Sequence, residues 1–106
     1  MKSFSVSVKK NNEKGVYYRW SATKAGKLTV SLDKVTSTSG TVEAGISVTV
    51  TGSDLIPHQY LLSEADGNAL VIDVNAGDSV VINISVLPNE QNRYLAATID
   101  VTASFV

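Results

Sequence analysis

At 106 residues the chain can bury one core but not two, and 43% hydrophobic with 18% charged residues places it among globular rather than disordered proteins. It has no cysteine, which excludes a disulfide scaffold, a thiolate metal site and a cysteine nucleophile. The net charge of −1 hides an asymmetry: through Lys34 eight cations face two carboxylates (net plus six), and from Val35 onward Arg93 alone faces eight carboxylates (net minus seven). The expectation is that both halves share one sandwich and compensate each other at its surface. Overall acidity and the lack of arginine clusters argue against a nucleic-acid partner.

In chain order, Phe4, Val6 and Val8 alternate with Ser and Lys as in a half-buried strand. The polar run Lys9–Gly15 leads into a second strand, Val16–Ala22, with Val16, Tyr18, Trp20 and Ala22 on one face. Thr23–Lys27 is a turn containing Gly26, and Leu28–Asp33 follows with Leu28, Val30 and Leu32 inward. Thr36–Gly40 is a polar loop. Thr41–Thr51 then lines up Val42, Ala44, Ile46, Val48 and Val50, with Gly45 marking a bulge or a close backbone approach.

Gly52–His58 is expected to be irregular, because Pro57 discourages a ladder. Gln59–Ser63 is a short strand before the hairpin signal Asp66-Gly67-Asn68. Leu70, Ile72 and Val74 point inward from Ala69–Val74, Ala76-Gly77-Asp78 turns the chain, and Val80, Ile82, Ile84 and Val86 alternate through Ser79–Leu87. A loop, Pro88–Arg93, precedes Tyr94–Phe105, whose inward stripe is Ala97, Ile99, Val101, Ala103 and Phe105. No segment carries a helical period. About eight strands joined by turn chemistry predict a single all-β domain spanning 1–106, an antiparallel two-sheet β-sandwich that is Ig-like or jelly-roll-like.

Two stretches carry a resemblance. Tyr17-Tyr18-Arg19-Trp20-Ser21-Ala22, the turn with Gly26 and the alternating strand after it resemble a pattern of bacterial extracellular β-sandwich accessory modules. Ala76-Gly77-Asp78-Ser79-Val80 and the run Thr98–Phe105 fit the same pattern. Such modules accompany dockerins and glycoside hydrolases in secreted Firmicutes proteins, and are similar to pre-peptidase C-terminal domains. The resemblance implies an extracellular or cell-surface module, with polysaccharide or neighbouring protein domains as partners. Its motifs are architectural and carry no binding residue across. Val35–Ser53 holds no aromatic residue, where such modules commonly carry several.

Catalysis finds little support in the residues. His58 is the only histidine and is expected in a loop, no nucleophile, phosphate-loop or metalloprotease motif occurs, and the carboxylates are scattered. Asp73, Asn75 and Asp78, or Glu64, Asp66 and Asn68, have the oxygen chemistry of a calcium loop, but the same residues are what tight turns need. Neither a metal nor a cofactor is assigned.

Sugar binding needs exposed rings beside amides and charged groups. Parity puts Trp20 on the core face, where a buried ring packing the sandwich is expected. Tyr17 and Arg19 lie on the opposite, accessible face. Tyr60, beside His58 and Gln59, and Tyr94, beside Asn92 and Arg93, complete the candidate ligand-binding set.

No apolar run reaches a membrane span, and the N-terminus alternates where a signal peptide would be continuously apolar. Either the protein stays in the cytoplasm, or Met1 opens a module of a longer secreted protein. The expected function is a non-catalytic accessory module that binds glycan or spaces and docks its neighbours. The alternative is a structural assembly protein, a virion or surface-array component associating through strand edges.

Overall fold

The computed structural model describes residues 2–8, 15–37, 42–63, 69–87 and 97–106. They form eight strands: β1 (Lys2–Val8), β2 (Gly15–Ser21), β3 (Gly26–Thr36), β4 (Ala44–Thr51), β5 (Pro57–Ser63), β6 (Leu70–Val74), β7 (Ser79–Val86) and β8 (Ala97–Phe105). Two four-stranded sheets result, ordered β1-β8-β3-β6 and β2-β7-β4-β5, with every ladder antiparallel.

The pairings β1·β8, β2·β7, β3·β6 and β4·β5 describe a double-stranded ribbon closed at the β4–β5 turn. Winding that ribbon on itself adds the ladders β3·β8 and β4·β7, which close each sheet. This is the eight-stranded jelly roll. An immunoglobulin sandwich pairs several consecutive strands as hairpins; here β4·β5 is the only ladder between neighbours in sequence.

The interior follows from the two-residue period. Successive side chains of a strand point to opposite faces, so each alternating stripe either fills the gap between the sheets or faces solvent. In β4 and β7 the alternation is unbroken, with Ala44, Ile46, Val48 and Val50 buried against Val80, Ile82, Ile84 and Val86. The largest fully buried side chains are Ile46, Ile84, Ile99, Val30, Val48, Val74, Val80, Val86 and Val101, all β-branched. Such residues suit a strand backbone, and each contributes about 1.5–3 kcal/mol when fully buried. Tyr17, Tyr18, Trp20 and Tyr60 are all exposed, and Phe105 is only partly buried.

Several local expectations change. The bulge falls at Asp33, not at Gly45: β3 slips against β8 between Leu32 and Lys34, whereas both β4 ladders keep register through Gly45. The extra residue inverts the facing, so Val35, not Lys34, packs against the core after Leu32. The Asp33 carboxylate pins the bulge by accepting hydrogen bonds from Ser31 Oγ, at 2.9 Å, and from Thr102 Oγ1 on β8. With this device β3 runs on to Thr36, into the expected loop.

Pro57 opens β5 and His58 lies within it, where an irregular connection was expected. The ladder pattern explains the tolerance. Leu87 N donates to Glu43 O across β7·β4 at 2.8 Å, so alternation turns the amides of Ala44, Ile46, Val48 and Val50 towards β5. Their partners Leu62, Tyr60 and His58 face back, leaving Pro57, Gln59 and Leu61 turned to the open side of β5. The missing N–H of Pro57 therefore removes no ladder bond.

The basic and acidic parts of the chain interleave. Lys27 of β3 lies opposite Asp73 of β6, with Nζ 3.0 Å from the carboxylate. Both side chains are exposed, so the pair contributes little to stability by itself.

Ile84 tests the core. Ile84→Ala is expected to lower unfolding free energy by about 2–5 kcal/mol and Ile84→Val by about 0.5–1.5 kcal/mol, read from urea midpoints. Equal effects of the two substitutions would contradict the burial of this side chain.

Candidate functional site

One end of the sandwich is organised around Asp78, the only buried charged residue among those described. Asn75–Asp78 is a tight turn in which Asp78 N donates to Asn75 O at 3.1 Å and Gly77 takes φ +88°. That is a type II turn, whose third position requires positive φ and so favours glycine. Asp78 Oδ2 accepts from Asn75 N at 2.8 Å and braces the turn from within.

The same turn holds two other connections. Ala22 N donates to Asp78 O at 2.9 Å and Gly77 N donates to Ala22 O at 2.8 Å, tying down the β2–β3 link. Gly52, after β4, approaches Asp78 so closely that a Cβ there would stand 3.1 Å from Oδ1.

The β4–β5 connection is built differently. Leu55 N donates to Gly52 O at 3.1 Å, and Asp54 Oδ1 accepts from Ile56 N at 3.1 Å, the side-chain turn that Asp forms with a backbone amide two residues on. Leu55 holds φ +62° while its side chain is 79% exposed, and Ile56 beside it is exposed as well. A non-glycine residue in the left-handed region carries about 1–2 kcal/mol of strain. The sequence offered no signal for this backbone.

Between these two connections lies a cleft of about 630 Å³, bounded by the β4–β5 connection, the first half of β5, the end of β6 and the Asn75–Asp78 turn. It exists because β5 is an edge strand with little of the second sheet against it. His58 and Tyr60 share the facing of buried Leu62, yet both are exposed. The cleft therefore presents a phenol ring and an imidazole from β5, Asp54 from one turn, Asp73 from β6 and Asn75 from the other turn. His58 Nε2 stands 3.9 Å from Asp54 Oδ2, adjacent but outside hydrogen-bonding distance. An exposed ring edged by carboxylate, amide and imidazole groups suits a neutral ligand rich in hydroxyls.

The predicted site residues do not form one site. Tyr60 lines the cleft. Tyr17 and Arg19 are exposed, as expected, but they sit on β2, at the far edge of the same sheet, about 14 Å away at ordinary strand spacing. They also face the other way: Tyr17 aligns with Asn83 and Arg19 with Val81, on the outer surface. Tyr94 lies outside the described residues, as do Glu64, Asp66 and Asn68.

Trp20 departs from expectation. It faces inward, opposite Val80, but is 37% exposed. Its ring stands edge-on to Phe105, with centroids 4.7 Å apart, and Lys24 Nζ lies 5.8 Å from the centroid of the Phe105 ring. Both β2 and β1 are sheet edges, and Phe105 lies past the register of β1 on β8, so Trp20 caps an open flank. Tyr18 likewise faces inward on β2 and remains exposed.

Asp73, Asn75 and Asp78 do not act as a cation loop here. Asp73 pairs with Lys27, and Asp78 is spent on its turn. Among the described residues, no three His, Asp or Glu side chains converge to hold a metal ion.

Two substitutions test this architecture. Asp78→Ala is expected to destabilise by about 1–3 kcal/mol, through loss of the part-buried, charge-assisted bond to the Asn75 amide. Leu55→Gly is expected to stabilise by about 0.5–1 kcal/mol, as strain relief exceeds the added freedom of the unfolded chain. Thermal unfolding of both variants reads the signs, and a destabilising Leu55→Gly would show that the Leu55 side chain is itself held by contacts.

Comparison with protein-family models, with curated proteins and with solved structures finds no match to this chain.

Proposed function

We propose that this protein is a non-catalytic glycan-binding module, an accessory unit of a bacterial secreted or cell-surface protein, and that its sugar site is the cleft beside β5. The observation that carries this reading is the placement of Tyr60. Its ring stands exposed in a cleft whose other groups are hydrogen-bonding side chains set by short, internally bonded turns. A ring covers the apolar face of a pyranose, while Asp54, Asp73, Asn75 and His58 offer acceptors and donors to its hydroxyls. The turns that carry these groups are already formed, so little ordering cost falls on binding.

The non-catalytic part of the reading rests on the same groups. Asp54 and Asp73 remain solvated, and Asp73 is neutralised by Lys27. Placement outside the cell follows from the resemblance of the Tyr17–Val30 and Thr98–Phe105 stretches to extracellular modules.

Electrophoresis through gels containing soluble polysaccharides tests the proposal. At least one polysaccharide is expected to retard the protein, Tyr60→Ala to weaken that binding about thirtyfold (about 2 kcal/mol), and Tyr17→Ala to leave it unchanged. Absence of retardation across α- and β-linked neutral and acidic polysaccharides would refute glycan binding. Retardation that survives Tyr60→Ala would move the site elsewhere.

A further inference from the structure

The four sheet edges differ in how they are protected. Edge strands usually carry charges or coverage that prevent pairing with another chain. Among the exposed edges, β2 carries Arg19 and β6 carries Asp73. In contrast β5, PHQYLLS, contains no Lys, Arg, Asp or Glu, and six of its seven residues are not buried, Leu61 being 68% exposed. Exposed Ile56 extends the apolar surface just before it.

The alternation of the β4·β5 ladder turns the backbone N–H and C=O of Gln59 and Leu61 to the side of the sheet where, among the described residues, no strand lies. We propose that β5 pairs antiparallel with β5 of a second copy, about a two-fold axis through Tyr60, making one continuous eight-stranded sheet across the dimer.

The register is self-complementary. With the axis at Tyr60, Gln59 lies opposite Leu61 of the second copy and Leu61 opposite its Gln59. Both are outward-turned residues, so each exchanges N–H and C=O with its counterpart, giving four backbone hydrogen bonds. The two Tyr60 residues then form the close, non-hydrogen-bonded pair, with their rings side by side. A strand without charge meets its own copy with no like-charge repulsion, and it offers a foreign partner no charge pattern to recognise. Pro57 faces the same open side without an N–H, so that end of the strand can donate no ladder bond. The hydrogen bonds of this pairing come from the backbone of β5, while the Tyr60 rings it sets side by side also line the cleft, so pairing is read from mass and amide exchange without any sugar present.

Sedimentation and amide exchange test it together. The mass of the intact protein is expected to double between about 10 µM and about 1 mM. Over that range, the Gln59 and Leu61 amides are expected to exchange about tenfold more slowly. Leu61→Lys, at an outward-facing exposed position, is expected to keep the protein monomeric throughout, while Tyr17→Lys at the opposite edge leaves dimerisation intact. The exchange measurement needs no variant, so it decides the question even if Leu61→Lys perturbs the fold. A monomer at the highest concentration would overturn the proposal, as would a dimer whose Gln59 and Leu61 amides stay unprotected or one that Leu61→Lys leaves intact.

Discussion

The placement of the exposed rings in this molecule depends on how narrow its interior is. Two sheets facing each other at the usual spacing of about 10 Å leave a layer that valine and isoleucine fill from both sides. The core is built from those residues, with alanine and two buried leucines. A layer so filled takes a further ring only by displacing β-branched neighbours, an overpacking that typically costs about 1–3 kcal/mol. The aromatic side chains described here are accordingly found at flanks and edges: Trp20 and Tyr18 on one flank, Tyr17 on an outer face and Tyr60 at the cleft. The exposure of these rings follows from the packing.

The second organising element is the junction at Asp78. One carboxylate, its own turn, the close approach of Gly52 and the bonds to Ala22 hold three connections in a fixed relation. These connections are separated by long stretches of sequence, and they meet only because the ribbon winds on itself. The strained Leu55 sits beside this rigid junction, not within it. Its positive φ lets the chain reverse from β4 into β5 while presenting Leu55 and Ile56 to solvent.

Much of the fold was legible from periodicity. Alternation in Thr41–Thr51, Ser79–Leu87 and the described part of Tyr94–Phe105 predicted the inward stripes correctly, because a strand packed on one face enforces the period directly. The bulge at Asp33 was not legible: the carboxylate there bonds to Thr102, 69 residues away in sequence. Nor was the strand status of Pro57, which depends on which side of β5 bonds to β4. Trp20 shows the limit of parity, which tells the facing of a side chain but not whether the strand lies at an edge. For the candidate site, Tyr60 and His58 were identifiable as an aromatic and polar neighbourhood. Their convergence with Asp54, Asp73 and Asn75 depends on strand order. Asp78 resembled a cation ligand and proved to be a turn brace, since one residue type serves both chemistries.

The strand order gives the uneven charge of the chain a role in time. Every ladder joins one of β1–β4 to one of β5–β8, and no two strands within either group pair. As the chain leaves the ribosome, four alternating strands emerge before any partner for them exists. Nearly all the cationic residues lie in that first stretch. Waiting segments on neighbouring chains therefore repel one another, while the anionic stretch that follows is attracted to them. The cationic and anionic stretches are thus largely the two partners of every ladder, and their opposite charge favours the pairings that the wound ribbon requires.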